Sequence, residues 1–291
     1  MNTKSIYKSL FLKYNIILFV FISLVFASCS EEVELELDKS FTRIVVDGQI
    51  STDTLAHCIR LRTSSSYFYN QTPPVLSGAK VELNDGFQTF VLTEKPIGSG
   101  NYYTDSLVFG VEGRNYKLSI SDVDLSKDGN KTSFLAKEYL NPGWQPDSIR
   151  TNPKVNHEGK TGYEILLFGK EPGDRADFYF WNYYVNGKLG SDTLYKTAFT
   201  DDQFFNGLYV QGFPIFNFIE AKEGDTIQVE TMSISNDYYK FAYALIVEAM
   251  FGGGGIMGPP ANVPTNIKEG GLGYFKATSI RRNSYIIPKK N

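Results

Sequence analysis

Between Phe41 and Pro146 the chain never holds an apolar period of helical length. It offers short runs in which apolar and polar residues alternate, separated by turn residues every ten positions or so. Arg43 to Ile50 carries Ile44, Val45, Val46 and Ile50, and Ala56 to Arg62 sets Ile59 and Leu61 against Cys58, Arg60 and Arg62. Ala79 to Leu83 and Phe87 to Leu92 flank Asn84-Asp85-Gly86. An Asp-Gly pair between alternating runs signals a hairpin, because the turn needs positive φ. Further runs at 101–105, 115–120 and 131–136 complete an antiparallel sandwich pattern.

Two prolines and a glycine in Asn141-Pro142-Gly143-Trp144-Gln145-Pro146 mark a domain junction. Strands resume at 163–168, at 177–185 before an Asn186-Gly187 turn, and at 225–234. Within Asp177 to Tyr184 the dense aromatics read as core, since alternation buries one face and neighbours cover the other. One helix is expected over 237–250, after the capping pair Ser235-Asn236 and with Asp237 in its first turn. It is apolar nearly all round, which predicts burial against a sheet. Gly252 to Gly255 ends it and opens a Gly/Pro-rich loop over 252–275, long enough to suggest a functional role.

The N-terminus supplies an address. Lys4, Lys8 and Lys13 precede a run from Ile16 to Ala27 that is apolar except for Ser23. That is the layout of a secretory signal peptide over 1–28, and the run is short of the roughly 20 residues a membrane-crossing helix needs. Ala27-Ser28-Cys29 resembles a bacterial lipobox, with Phe26 in place of the usual aliphatic residue. Cys29 is the predicted lipidation site, because its thiolate is the nucleophile that takes a diacylglycerol group. Several acyl chains anchor a protein where one binds only marginally. Ser30, Glu31 and Glu32 resemble the acidic surface-export signal of Bacteroidetes lipoproteins. Residues 29–40 then form a linker, or a first strand through Val33, Leu35 and Leu37. The expected location is the outer membrane, lipid-anchored and facing the exterior.

Removal of the leader leaves roughly 260 residues, enough for one large or two modest domains. The whole chain has 29 Lys and Arg against 32 Asp and Glu. The leader takes three lysines and no acid with it, so the mature chain is more acidic still and carries no footprint for nucleic acid. Once Cys29 is lipidated, Cys58 has no partner for an intrachain disulfide, and the fold must rest on its core. Aromatic residues, 15% of the chain, supply that core with apolar area.

Several stretches together resemble the Bacteroidetes outer-membrane lipoprotein family called domain of unknown function 4249. They are the helix, the glycine run, Pro259-Pro260-Ala261-Asn262-Val263-Pro264-Thr265-Asn266-Ile267 and Gly271-Leu272-Gly273-Tyr274-Phe275. Val45-Val46-Asp47-Gly48-Gln49-Ile50 and Val75-Leu76-Ser77-Gly78-Ala79-Lys80-Val81 are similar to the family's first domain. The resemblance covers nearly the whole mature chain. It implies an envelope lipoprotein, often encoded beside a TonB-dependent outer-membrane transporter, with no established activity and no catalytic residue to carry over. The expected fold is all-β and mainly antiparallel. An Ig-like or carboxypeptidase-regulatory-like β-sandwich over 41–146 precedes a second β-sandwich domain over 147–291 with one buried α-helix.

Catalytic and metal chemistry find little support in the residue pattern. His57 and His157 are the only histidines. His57 and Cys58 are neighbours on an expected strand, so they point to opposite faces, and no Cys/His pair has zinc-ligand spacing. There is no Gly-x-Ser-x-Gly elbow. Asp122 to Gly129 looks like a calcium loop, but Lys127 takes the place of its turn glycine and Ser133 that of its bidentate acid. The run Gly252 to Gly255 lacks the Lys-Ser/Thr of a phosphate loop. No catalytic residue, metal or cofactor is expected. Tyr67, Phe68 and Tyr69 lie in a loop as candidates for ligand or partner binding; they either mark a recognition site or fold back over one end of the sandwich. The leading expectation is a non-catalytic surface lipoprotein that binds a ligand or assists a TonB-dependent transporter. A stand-alone glycan-binding or adhesin module is the alternative, and a hydrolase the less favoured third.

Overall fold

A computed structural model describes residues 42–65, 72–126, 128–251 and 263–289. Fifteen strands are laid down in chain order: β1 (Ile44–Ser51), β2 (Cys58–Thr63), β3 (Lys80–Asn84), β4 (Thr89–Glu94), β5 (Asn101–Tyr103), β6 (Asn115–Val123), β7 (Thr132–Tyr139), β8 (Ser148–Val155), β9 (Thr161–Lys170), β10 (Phe178–Val185), β11 (Lys188–Leu189), β12 (Ala198–Asp201), β13 (Tyr209–Ile219), β14 (Thr226–Ile234) and β15 (Leu272–Ile286). Among the described residues there is one α-helix, α1 (Asn236–Phe251). The described residues are therefore all-β with a single α-helix.

Twelve strands form one continuous sheet, ordered β11-β10-β14-β15-β1-β2-β5-β4-β3-β6-β7, with β12 also paired to β10. β8, β9 and β13 form a second sheet with β9 in the centre. Pro153 in β8 and Pro214 in β13 thus sit on edge strands, where a missing N–H is tolerated. The Asp-Gly hairpin forms as expected: β3 and β4 pair through Asn84 and Thr89, and the Asp85 carboxylate caps the turn by accepting from Phe87 and Gln88 N–H. At the second turn Asn186 and Gly187 both adopt positive φ.

β15 joins the two ends of the chain. Residues 272–278 run parallel to β1, and residues 279–286 run antiparallel to β14. From Thr42 onward the chain forms one compact unit. One core lies between β1, β2, β15 and β3, β6, β7, and draws Ile267, Phe275 and Ala277 from the far end of the sequence. A second lies between the three-stranded sheet and β10 and β14. The aromatic strand β10 feeds both its faces: Tyr179, Trp181 and Tyr183 enter this second core, and Phe178 and Phe180 pack beneath α1.

Two expectations need correction. α1 is not buried all round: Ala242 is its one fully buried described side chain, while Tyr243 is 58% exposed and Leu245 37%. Its contacts with the sheet come from the first two turns, where Tyr238, Tyr239 and Phe241 stack on Phe178, Phe180, Phe199 and Tyr274. The loop assigned to 252–275 also ends earlier than expected. Leu272 already belongs to β15, because pairing with Val45 fixes it as strand.

Candidate functional site

α1 starts where the sequence predicts. The Ser235 hydroxyl accepts the Tyr238 N–H at 3.0 Å and caps the helix. The cap fixes the helix over a surface made by β1, β2 and β15. Strand alternation sends Ile44, Val46, Phe275 and Ala277 inward to the core. Val45, Asp47, Tyr274 and Lys276 are left on the helix side. Between helix and sheet lies a cleft of about 650 Å³, with Tyr238, Phe241, Leu245 and Tyr274 as its apolar walls. Its charged groups are Lys276, whose ammonium stands 4.9 Å from the Tyr238 ring centre, and the Arg60–Asp47 pair at 3.0 Å.

Tyr274 also borders a second hollow of about 570 Å³, which Lys137, Lys240, Lys268 and Asp237 line at the N-terminal end of α1. Beneath this shared wall lies Glu138 of β7, 7% exposed. Its Oε2 accepts from the Tyr274 hydroxyl at 3.0 Å and from Asn266 Nδ2 at 2.9 Å. Burial pushes the Glu138 carboxyl up to about 7, against the pull of the Ser235, Tyr274 and Asn266 hydrogen bonds. Burial, with the Glu138 charge beside it, likewise pushes the Tyr274 hydroxyl up.

Asn266 acts as a surrogate strand. Its amide donates to the Phe275 carbonyl (2.7 Å) and accepts the Phe275 N–H (3.0 Å), satisfying backbone groups on an open stretch of β15. Thr265 donates to the Gly273 carbonyl at 2.7 Å. The stretch Pro264-Thr265-Asn266-Ile267 and the strand start Gly273-Tyr274-Phe275 are thus one clasp, which meets the cleft at Gly273 and Tyr274 and lines the second hollow with Pro264, Thr265, Asn266 and Tyr274.

Among the sequence-derived candidates, His57 lines the cleft. Cys29, Ser30, Glu31 and Glu32 lie outside the described residues, as do Tyr67, Phe68 and Tyr69. His57 stands just before β2 rather than within a strand, and is 1% exposed. Burial holds its pKa down; the Asp53 and Val108 carbonyls lie close, yet neither ring nitrogen completes a hydrogen bond. It therefore has no carboxylate orienting its ring, as a general base requires. His157 is 90% exposed beside Glu158.

Folding also assembles a group that no spacing announced. Glu171 follows β9, Asp177 precedes β10 and Asp202 follows β12. All three are buried, and an oxygen from each lies within 4.8 Å of the others. This cluster is the carboxylate set able to hold a metal among the described residues. Glu171 and Asp177 come from the two ends of the β9–β10 connection and Asp202 from the turn after β12, so no single stretch of sequence carried the whole set.

Among the described residues no helix is long and apolar enough to cross a membrane. No curated protein matches the chain. The family model described as a domain of unknown function, DUF4249, matches residues 30–284, so it spans both cores, the helix, the cleft and the clasp; the chain belongs to that family.

Proposed function

We propose that the chain is a non-catalytic lipoprotein, anchored to the outer membrane through Cys29 and facing the exterior, that binds a ligand or assists a TonB-dependent transporter through the cleft beneath α1. The observation that carries this reading is the cleft itself. It is concave, walled by aromatic and apolar groups, and edged by a few charged ones, which is the usual make-up of a recognition site. Tyr243 and Leu245 leave apolar area exposed on the same helix. Neither histidine has the partners that acid–base or nucleophilic chemistry would need, which favours binding over turnover.

The test starts from the native lipoprotein extracted in mild detergent. Wild type should copurify with an outer-membrane barrel, and Leu245→Asp combined with Tyr243→Asp should lose that partner while keeping its Tm. Recovery of the wild type alone would refute the transporter reading. Cys29→Ser should release the chain from the membrane fraction and abolish palmitate labelling.

A further inference from the structure

Of the Glu171, Asp177 and Asp202 carboxylates, Asp177 alone is paired with a cation: Arg175 Nε donates to its Oδ1 at 2.7 Å. Three carboxylates and one guanidinium leave a formal charge of −2 inside the protein. Burying such a charge without compensation is costly.

Neutral donors hold three of these six oxygens in place without cancelling the charge. Glu171 accepts the Tyr179 hydroxyl on Oε1 and the Gly207 N–H on Oε2, both at 2.7 Å. Asp202 Oδ2 accepts the Asp177 N–H at 2.9 Å and Asn206 Nδ2 at 2.7 Å. Asp177 Oδ2, by contrast, is buried with no hydrogen-bond partner, on a residue only 3% exposed. Tyr179 also reaches Asp177, so this carboxylate faces the cluster, but the one hydroxyl hydrogen is spent on Glu171. A buried carboxylate oxygen left bare beside two other carboxylates calls for a positive ligand.

We propose that Glu171, Asp177 and Asp202 bind one hard divalent cation of the calcium class. All the donors are oxygens, the set that calcium and magnesium take and that zinc and copper do not need. At bond lengths of about 2.3–2.6 Å, oxygens on opposite sides of a calcium ion stand about 5 Å apart, and the three oxygens here all lie within 4.8 Å of one another. The raised pKa of the Glu171 and Asp177 carboxyls, caused first by burial and then in part by their neighbours' charges, agrees with a site that lacks positive charge. The ion would tie the β9–β10 loop, which joins the two sheets, to the turn after β12. Phe205 in that turn packs on Trp144 and Tyr179, which puts an aromatic reporter beside the ion.

The experiment takes the full chain, strips it with a chelator, and titrates calcium chloride, magnesium chloride and terbium at pH 7. The expected result is one calcium bound per chain, a Tm raised by about 5 °C or more at a concentration one hundred times Kd, and a weaker response to magnesium. Terbium should luminesce on tryptophan excitation and be displaced by calcium. Asp177→Asn and, separately, Glu171→Gln should fold, by circular dichroism, and lose both the shift and the luminescence. A wild type whose Tm ignores millimolar calcium and chelator alike, yet rises as the pH falls, would hold a proton there instead and overturn the proposal. Undiminished calcium binding in both variants would overturn it equally.

Discussion

Replacing Glu138 with glutamine isolates the electrostatics of the clasp. In the folded protein the carboxyl titrates at about 7, against an ordinary value of 4.5. At 1.36 kcal/mol per unit, that difference is worth about 3 kcal/mol. A raised carboxyl pKa means the folded chain keeps a proton that the unfolded chain gives up between pH 4.5 and 7. The stabilising share is therefore complete below pH 4.5, shrinks as the pH rises, and is gone above 7. Glutamine keeps the shape and never charges. Both donors to Oε2, from Tyr274 and Asn266, can bond its amide oxygen unchanged. Urea unfolding followed by tryptophan fluorescence should find the two proteins nearly equal at pH 5. At pH 8 Glu138→Gln should be more stable by about 3 kcal/mol, or roughly 5–10 °C in Tm. Other groups titrate over this range in both proteins, so the double difference between variant and wild type is the quantity to read. If the two stabilities run parallel from pH 5 to 8, Glu138 is already ionised in the fold and the reasoning fails.

Further variants probe the same clasp. Gly273 has φ of +83°, and an added Cβ would meet the Val46 carbonyl oxygen, a backbone atom that cannot step aside; Gly273→Ala should cost about 3 kcal/mol or more in urea unfolding, and a loss under 1 kcal/mol would show that β15 can shift. Phe275 is fully buried in the first core, so Phe275→Ala should lose about 3–5 kcal/mol. Asn266→Ala removes both bonds to the Phe275 backbone and should cost about 2 kcal/mol, with hydrogen exchange at the Phe275 amide rising well above that of its β15 neighbours.

Much of the fold is legible where the signal is local. Hairpins at Asn84-Asp85-Gly86 and Asn186-Gly187 announce themselves because positive φ restricts the residues that can turn there. The alternation of β10 is equally plain, and its aromatic faces are core as the pattern predicts. What stays hidden depends on distant partners. β8 and β13 carry Pro153 and Pro214, which argue against a strand until both prove to be edges of a sheet centred on β9. β15 mixes Gly273, Arg281-Arg282 and buried Thr278 and Ser279. It is a strand because β1, more than two hundred residues earlier, and β14 hold its two halves. The all-round apolar character of α1 reads as burial, yet Tyr243 and Leu245 are exposed, and Leu245 borders the cleft.

The same dependence on distant partners explains why the candidate site was half visible. Pro264-Thr265-Asn266-Ile267 and Gly273-Tyr274-Phe275 carry the family resemblance, but their chemistry is backbone replacement. Asn266 stands in for a missing strand neighbour, Thr265 ties off the Gly273 carbonyl, and Gly273 lets β15 approach Val46 closely. Each of these demands restricts the residue to one type for structural reasons. Tyr274, held between Glu138 and the aromatic face of α1, is the member that also lines both hollows. Motif membership alone therefore marks the clasp, while specificity for a ligand would reside in residues that the clasp leaves free: Arg60 and Lys276 on the strands, and Lys240, Tyr243 and Leu245 on the helix. A change of ligand within this architecture should then appear as substitutions at those positions on an unaltered Thr265-Asn266 and Gly273-Tyr274-Phe275 frame. Exchanging the five together for a relative's residues should alter binding and leave Tm within a few degrees; a chimera that unfolds would show that the cleft surface and the clasp are one structural unit.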